Sequence, residues 1–265
     1  MCKECGCGLG GDDVKIGGHA HEHGHSHGHD HHHSHDHDHH HEPGHTPGGK
    51  TLSLNLSLLE KNDRLAAQNR GFFRAKKLLV LNVVSSPGSG KTTFIRETAA
   101  KLAGRLRLGV IVGDLATDND AAKLRTAGIP VVQITTGTVC HLDADMVAKA
   151  AAQMNLDQLD VLVIENVGNL VCPADYDLGE DLRVVLLSVT EGEDKPLKYP
   201  PMFHSAQVAV VTKSDMAVAA GFNRELALQN LERVSHHARI FELSAKTGDG
   251  MKAWLDFLVE QRVPK

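Results

Sequence analysis

The residues with the clearest chemical meaning form a glycine-rich segment, SSPGSGKT at positions 85–92, between an apolar run and a helix-forming stretch. Gly88 and Gly90 let successive backbone N–H groups point into one concavity, and the following helix adds free donors for a phosphate. In such a loop Lys91 reaches the β- and γ-phosphates, and the Thr92 hydroxyl ligates Mg²⁺. Ser85 stands where the motif has its first glycine. The segment predicts a P-loop whose nucleotide-binding residues are Gly88, Ser89, Gly90, Lys91, Thr92 and Thr93.

A magnesium site beside this loop requires carboxylates from neighbouring strand ends, because the ion keeps an octahedral shell of oxygen ligands. Asp114 ends the apolar run 109–113, and Glu165 ends the run 161–164. We therefore predict that Thr92, Asp114 and Glu165 hold Mg²⁺, and that Lys91, Asp114 and Glu165 are the catalytic residues. The competing interpretation of either carboxylate is a helix cap or a solvated strand end.

Two short segments near the ends of apolar runs, TKSD at 212–215 and SAK at 244–246, indicate an element that reads the base. The first resembles the Asn-Lys-x-Asp guanine-reading motif of GTPases, with Thr212 in place of asparagine. Guanine offers N1–H and N2–H₂ donors to the Asp215 carboxylate, whereas adenine offers neither and would leave it unpaired. Lys213 would cover the base plane, and the same resemblance implies that the Ala245 N–H binds guanine O6. The predicted nucleotide is GTP.

Soft metal ligands are concentrated at the amino terminus, where Cys2, Cys5 and Cys7 place three thiols within six residues. Three such donors suit Ni²⁺, Zn²⁺ or Cu(I), and the terminal amine could complete a square-planar Ni²⁺ site. The competing interpretation is a thiol-bearing terminus without a ligand.

Fifteen of the 19 histidines follow in a tract without large apolar residues. A tail that buries no apolar surface does not offset the entropy of ordering, so we predict a disordered metal-binding tail over residues 1–50. Its imidazoles would hold several divalent ions without fixed geometry and release them on mild acidification. Storage for delivery and protection of the cell both stay open. The predicted nickel-storage ligands are His19, His21, His23, His25, His27, His29, His31, His32, His33, His35, His37, His39, His40, His41 and His45.

The other two cysteines, Cys140 and Cys172, form the third candidate metal site together with His141. Cys140 opens a predicted helix, 140–154, whose dipole would favour the thiolate. Cys172 lies seven residues after Glu165, on the segment that we assign to the nucleotide's switch region. Two thiolates and an imidazole leave a position for a labile ligand or for a second subunit. A pair of inert buried cysteines is the ordinary alternative.

These residues must be positioned by an α/β domain, because short apolar runs alternate with helix-forming stretches. Continuous Val/Ile/Leu runs without polar alternation indicate parallel strands that are covered on both faces. The predicted fold is a doubly wound, mostly parallel sheet with the ligand at the carboxyl ends of its strands. The predicted strands are 78–85, 109–113, 131–134, 160–165, 182–189, 206–212 and 239–243, and the predicted helices are 91–103, 119–127, 140–154, 223–235 and 250–260.

A helical lead-in is predicted over residues 51–77, between the tail at 1–50 and the domain at 78–265. Its apolar residues fall roughly on one side of a helix, with an interruption near Asn62-Asp63. They are Leu52, Leu56, Leu59, Leu65 and Phe72. We expect the lead-in to dock on the domain.

Charge is unevenly distributed, since residues 1–50 carry 3 Lys+Arg against 8 Asp+Glu and the rest of the chain carries 25 of each. A balanced domain without a basic stripe argues against nucleic acid as a partner. No run approaches the ~20 apolar residues that a membrane helix needs, and the amino terminus has no apolar signal core. We expect a cytoplasmic protein without a membrane or nucleic-acid partner.

Taken in order, the motifs resemble one family, the hydrogenase nickel-insertion GTPases (HypB), along essentially the whole chain. The matching segments are CxxCGC, the histidine tract, SPGSGKTT, TGxxCHLD and ENVGNLVCPA at 165–174. The resemblance implies a SIMIBI-type GTPase that passes Ni²⁺ toward the hydrogenase large subunit, with other maturation factors as partners. It implies a tight nickel site at Cys2, Cys5 and Cys7. It also implies a weaker Ni²⁺ or Zn²⁺ site at Cys140, His141 and Cys172, at a nucleotide-dependent homodimer interface.

Two other classes of protein stay open. A urease-type nickel-insertion GTPase shares the fold and the histidine tail, although the amino-terminal cysteines and the separated Cys172 favour the hydrogenase branch. A nickel storage or detoxification protein would explain the tail, but it would not need Lys91, Asp215 or a thiol linked to a switch. No glutamine or arginine finger is evident, so slow intrinsic turnover is expected.

Overall fold

The computed structural model describes residues 15–16 and 48–262, so Cys2, Cys5, Cys7 and the fifteen histidines from His19 to His45 lie outside the described residues. The strands are β1 (Lys15–Ile16), β2 (Leu79–Val84), β3 (Leu108–Asp114), β4 (Val131–Thr135), β5 (Val161–Glu165), β6 (Leu182–Ser188), β7 (Val208–Thr212) and β8 (Arg239–Glu242). The helices are α1 (Gly48–Ala75), α2 (Lys91–Leu102), α3 (Asn119–Thr126), α4 (Ala144–Ala151), α5 (Lys195–Lys198), α6 (Pro200–Ser205), α7 (Arg224–Ser235) and α8 (Met251–Arg262).

All strands belong to one sheet with the order β1-β4-β3-β5-β2-β6-β7-β8. Strands β2 to β8 are parallel, and β1 runs antiparallel to β4 at one edge. The prediction of a doubly wound, mostly parallel sheet is confirmed, with every predicted strand present. The two-residue strand β1, which lies within the predicted tail, was not predicted. Because β2 is central, the loop that follows it has strands on both sides.

Both faces of the sheet are covered, which explains the continuous apolar strands. Strands β2 and β5 are buried at every position. One face packs against α2 and α8 through Phe94 and Trp254, and the other packs against α1 and α4 through Phe73 and Val147. Because helices cover both faces, loops that could bind a ligand lie at the carboxyl edge of the sheet, where β2, β3, β5 and β7 end. No helix within residues 48–262 is long and apolar enough to cross a membrane.

Helix α1 differs from the predicted lead-in in two respects. It is continuous through Asn62-Asp63, and its buried face carries Asn62, Ala66, Asn69 and Phe73, whereas Phe72 is exposed. The predicted interruption was wrong because the Asn62 amide is engaged in tertiary hydrogen bonds rather than competing for the helix backbone. The predicted apolar side holds only in part: Leu59 and Leu65 are half-buried, whereas Leu56 and Phe72 are exposed, since the docking face is centred on the buried residues named above.

Helix α4 begins later than the predicted helix 140–154. Asp143 is its N-cap, and the Asp143 carboxylate accepts a hydrogen bond of 2.8 Å from the Met146 N–H. An aspartate that satisfies a free N–H at this position ends the preceding loop and starts the helix. Cys140 therefore lies in a loop before α4, and the predicted stabilisation of its thiolate by a helix dipole does not apply. The short helices α5 and α6, each of which has a proline in its first turn, were not predicted.

The loop that carries Cys140 and His141 is pressed onto β3 at Gly113. A Cβ atom at Gly113 would lie 2.8 Å from Leu142 Cδ1 and Cδ2, which is closer than real Cβ contacts allow. Leu142 is fully buried. The absence of a side chain at Gly113 thus allows the loop to approach the strand that ends in Asp114.

Candidate nucleotide and metal sites

The P-loop joins β2 to α2 in the way that its sequence predicted. Gly88 and Gly90 have φ values of 74° and 97°, in the region that favours glycine. The Lys91 Nζ donates a hydrogen bond of 2.9 Å to Ser85 Oγ. Burial lowers the pKa of Lys91, and the nearby Glu165 carboxylate opposes that shift. Ser85, at the position of the motif's first glycine, therefore gives the lysine a polar partner within the loop.

The predicted magnesium ligands Thr92 and Glu165 are in direct contact. The Thr92 hydroxyl donates a hydrogen bond of 2.8 Å to Glu165 Oε1. Glu165 is 2% exposed, and its Oε2 has no hydrogen-bond partner within the described part of the chain. Burial raises the pKa of Glu165 to about 7, against the opposing effects of Thr92 and Lys91. A hydroxyl beside a carboxylate with an unsatisfied oxygen is a donor set that fits Mg²⁺.

The third predicted magnesium ligand, Asp114, is turned toward its own loop. Its Oδ1 accepts hydrogen bonds from the backbone N–H groups of Ala116 and Thr117, at 3.0 and 2.8 Å. The strand register pairs Val112 with Glu165, so Asp114 lies two positions further along the adjacent strand. Asp114 is therefore near the Thr92–Glu165 pair but is held by local hydrogen bonds in this structure.

A cavity of about 200 Å³ lies between the P-loop and the TKSD segment. The Thr212 hydroxyl donates a hydrogen bond of 3.0 Å to the Ser89 carbonyl, and Ser244 Oγ donates one of 2.6 Å to Asp215 Oδ1. These contacts connect the phosphate loop to both segments that we predict to read the base. The cavity is lined by Ser89, Gly90, Thr93, Phe94, Thr212, Lys213, Asp215, Met216, Ser244, Ala245 and Lys246.

Lys213 connects the TKSD segment to the P-loop through its side chain, and its backbone conformation is unusual. Its φ of 58° is in the left-handed region, which is uncommon for a residue with a side chain. The Lys213 Nζ donates a hydrogen bond of 2.8 Å to the Gly88 carbonyl. The aliphatic part of this side chain consequently extends from the end of β7 toward the P-loop.

Cys140, His141 and Cys172 form a compact cluster. Their ligand atoms all lie within 4.8 Å of one another, and they are the one such group of three or more in the described ranges 15–16 and 48–262. The two Sγ atoms are 2.9 Å apart and neither cysteine is in a disulfide, whose S–S bond would be ~2.05 Å. Two thiols and an imidazole are donors for Ni²⁺ or Zn²⁺.

His141 is the most constrained member of the cluster. It is 8% exposed, its ring stacks on Tyr176 at 3.9 Å between centroids, and its Nδ1 is buried without a hydrogen-bond partner in the part of the chain described. Burial lowers the pKa of His141, which favours the neutral imidazole. A neutral ring with an unsatisfied nitrogen fits a metal ligand.

The segment from Glu165 to Cys172 connects the two sites physically. Asn166 Oδ1 accepts a hydrogen bond of 3.3 Å from the Leu142 N–H, and Asn169 Nδ2 donates one of 3.2 Å to the Cys140 carbonyl. One end of the segment contacts Thr92, and the other end belongs to the thiol cluster. The two sites are therefore separated by only a few residues of one segment.

Sequence reasoning missed Glu191 and Lys195, which follow β6. The Lys195 Nζ donates a hydrogen bond of 3.2 Å to Ser86 Oγ in the P-loop, and burial raises the pKa of Glu191. Strand β6 adjoins β2, so its carboxyl end also faces the phosphate loop. The rule that ligands bind at carboxyl strand ends would have indicated both residues if it had been applied to β6.

The parallel sheet, the glycine-rich loop after β2 and the adjoining cavity define a P-loop nucleotide-binding protein with a thiol–imidazole cluster beside its nucleotide site. The family model described as "CobW/HypB/UreG, nucleotide-binding domain" matches residues 79–242. Hydrogenase maturation factor HypB of Escherichia coli is 49% identical over 213 residues, which cover 80% of this chain and 73% of that protein. Hydrogenase/urease maturation factor HypB of Helicobacter pylori is 40% identical over 217 residues, covering 80% and 89%.

Two solved structures have the same fold at substantial identity. The crystal structure of HypB from Helicobacter pylori in complex with nickel superposes with a TM-score of 0.73 at 41% identity, covering 76% of this chain and 95% of that one. HypB from Archaeoglobus fulgidus gives a TM-score of 0.72 at 38% identity, covering 77% and 100%. The chain belongs to the HypB family of hydrogenase maturation factors, which are nickel-binding P-loop GTPases.

Proposed function

We propose that this chain is a GTP-hydrolysing nickel chaperone of the cytoplasm that delivers Ni²⁺ to the hydrogenase large subunit. The observation that carries the proposal is the short segment between Glu165, bonded to Thr92, and Cys172, beside Cys140. A protein that only stored metal would need no such link between a phosphate loop and a thiol cluster. The family membership supports the same assignment.

In this proposal each predicted residue has a part in the GTPase cycle. The P-loop amides and Lys91 bind the phosphates, and Asp215 and Ala245 select guanine. Thr92, Asp114 and Glu165 would hold Mg²⁺, which would supply positive charge to the phosphates. Asp114 would have to leave its local hydrogen bonds to do so. Because no glutamine or arginine finger is evident in the sequence, we expect intrinsic turnover to be slow.

Nickel is the cargo of this cycle. When the γ-phosphate leaves, the segment from Glu165 to Cys172 changes its conformation at the Glu165 end. Cys172 then moves relative to Cys140, and this movement changes the affinity of the cluster for metal. Linkage is reciprocal, so bound Ni²⁺ changes nucleotide affinity. A cluster of three donors leaves room for a fourth ligand, and a second copy of the chain in a homodimer is the proposed source. Zn²⁺ is the competing ion at this site.

The sequence outside the described residues completes the proposal. Cys2, Cys5 and Cys7 form the tight nickel site, and the histidine tract stores nickel for delivery. The acceptor is a hydrogenase precursor, reached with other maturation factors. Urease maturation is the second candidate, because the related Helicobacter pylori protein is named as a hydrogenase/urease maturation factor. Hydrogenase and urease nickel contents in a strain that lacks this chain would distinguish the two.

The coupling is tested by GTP hydrolysis and dimerisation, each measured with and without Ni²⁺, in the parent and in Cys140→Ala. We expect the parent to respond to Ni²⁺ in both measurements and the variant to lose that response. Both chains also carry Cys2, Cys5 and Cys7 changed to Ala, so that the response reports on the cluster and not on the proposed amino-terminal nickel site. An equal response in the parent and in Cys140→Ala would remove the coupling.

Lys91→Ala separates delivery from storage. In cells, a delivery factor with this change should leave hydrogenase without nickel, although the tail still binds metal. A storage protein would keep its role without GTP hydrolysis. Normal nickel loading of hydrogenase in the Lys91→Ala strain would therefore overturn the proposed function.

A further inference from the structure

Two asparagines occupy the face of α1 that packs on the domain. Asn62 and Asn69 are seven residues apart, which places them two turns apart on one side of the helix. They are 5% and 7% exposed. Buried amides are costly unless they are hydrogen-bonded, so this face is specified by its partners rather than by apolar area alone.

Both asparagines bind the backbone of the same two loops. Asn62 Nδ2 donates to the Asp177 carbonyl at 2.8 Å, and Asn62 Oδ1 accepts from the Ala144 N–H at 2.9 Å. Asn69 Nδ2 donates to the Ala144 carbonyl at 2.8 Å and to the Leu178 carbonyl at 3.1 Å. Each amide therefore bridges the start of α4 and the segment 177–178.

These two loops carry the metal-cluster residues. Ala144 follows His141 by three residues, and Asp177 follows Cys172 by five. The amides of α1 thus connect the loop that provides one thiol and the imidazole to the loop that provides the other thiol. Any change in the separation of the loops changes the distance between the ligand atoms.

Two further contacts keep α1 close to the second loop. Arg70 Nη2 donates to both carboxylate oxygens of Asp177, at 2.7 Å each. A Cβ atom at Gly179 would lie 2.7 Å from the Ala66 carbonyl oxygen, so only glycine permits this approach of helix and loop. The helix is therefore in close contact with the loop over more than one turn.

We propose that α1 is a clamp in which Asn62 and Asn69 are positioning residues that hold the two ligand-bearing loops at the separation required for metal binding. The clamp determines the affinity and coordination of the Cys140–His141–Cys172 cluster without contacting the metal. The inference rests on the proposed function, in which this cluster binds Ni²⁺. It does not involve the nucleotide cavity, which lies between the P-loop and the TKSD segment.

The test uses the full-length chain with Cys2, Cys5 and Cys7 changed to Ala, so that the thiolate-to-Ni²⁺ charge-transfer absorption comes from Cys140 and Cys172. Ni²⁺ titrations of this parent are compared with those of the same chain carrying Asn62→Ala and Asn69→Ala. The histidine tract is identical in both, so ratios of affinity are comparable. We expect an altered band and at least about a 10-fold loss of affinity, equivalent to ~1.4 kcal/mol, with unchanged GTP affinity.

The matched control is Asn230→Ala in the same background. Asn230 is a buried helical asparagine, 8% exposed, whose Nδ2 donates to the Glu193 carbonyl at 2.9 Å, remote in sequence from both ligand loops. It should lower thermal stability but leave the nickel band as in the parent. Asn62→Asp keeps the acceptor for the Ala144 N–H and should give an intermediate affinity, which remains measurable if the double variant does not fold.

Three results are distinguishable. If the parent shows the charge-transfer band, and this band is weakened in the Asn62 and Asn69 variants but unchanged in Asn230→Ala, the clamp is supported. A parent band that is identical in folded Asn62 and Asn69 variants, or equally weakened in Asn230→Ala, overturns the clamp and leaves the proposed function standing. A parent without any charge-transfer band shows that the cluster does not bind Ni²⁺ through its thiols, and both proposals fall.

Discussion

The Thr92 hydroxyl donates a hydrogen bond of 2.8 Å to the buried Glu165 carboxylate, and this bond joins the first turn after the P-loop to the strand whose continuation carries Cys172. Glu165 has its pKa raised to about 7 by burial. A buried carboxylate that favours the neutral form destabilises the fold when it ionises. The chain therefore tolerates an unfavourable charge at the position where a cation would bind.

Glu165→Gln should stabilise the protein free of nucleotide and metal, and the gain should depend on pH. The folded pKa of Glu165 is above its unfolded value of 4.5. The free energy of unfolding of the parent is therefore highest below pH 4.5 and falls as the pH rises to about 7 and beyond. The shift corresponds to at most about 3 kcal/mol at pH 8. Urea unfolding at pH 5 and pH 8 should show a larger gain for the variant at pH 8. An equal gain in stability at pH 5 and pH 8 would contradict the raised pKa of Glu165.

Asp215→Asn should reverse the preference for the base. Asparagine removes the charged acceptor for the N1–H and N2–H₂ donors of guanine, and GTP affinity should fall roughly 10- to 100-fold. Its amide N–H₂ can instead donate to the C2 carbonyl of xanthine, so XTP should bind better than GTP. Fluorescent-nucleotide titrations measure both affinities. An unchanged affinity for GTP would mean that the base does not bind in the cavity lined by Asp215 and Ser244.

Gly113→Ala should destabilise the fold by about 1–3 kcal/mol through overpacking against Leu142. The added Cβ would meet the Leu142 side chain at 2.8 Å, directly after His141. Gly71→Ala is the control, because a Cβ at Gly71 meets nothing within 4 Å on helix α1. It should stabilise by about 0.5–1 kcal/mol, since alanine is the better helix former. Thermal unfolding compares the two, and equal effects would argue against a close approach at Gly113.

Arg183→Met should cost about 3–5 kcal/mol by leaving the buried Glu180 carboxylate without its cationic partner. Arg183 and Glu180 form an ion pair whose side chains are each 7% exposed. Arg183 also donates to the carbonyls of Ala174 and Tyr176, in the loop after Cys172. Adding Glu180→Gln removes the unpaired charge, so the double variant should be more stable than Arg183→Met alone in urea unfolding. A double variant that is less stable would mean that the hydrogen bonds that Glu180 accepts from Asn82 and from the Leu178 N–H outweigh the removal of the charge.

The architecture could be predicted because its signals are local. The P-loop is a contiguous segment, and strands such as Val161–Glu165 are runs of apolar residues that a two-sided layer of helices must cover. The tertiary contacts of Thr212, in contrast, could not be predicted from the sequence. The sequence marked it as a departure from the guanine motif, but only the fold revealed that its hydroxyl binds the Ser89 carbonyl across the phosphate loop.

By itself the sequence determined the parallel sheet, the P-loop segment, the two segments that we predict to read the base, and the grouping of Cys140, His141 and Cys172 as a candidate metal site. These follow from spacing along the chain and from residue chemistry. Only the tertiary structure decided which face of α1 docks, where α4 begins, and how Asn62 connects the two ligand loops. Such features depend on hydrogen bonds between residues that are distant in sequence, and neither helix propensity nor apolar periodicity contains information about those partners.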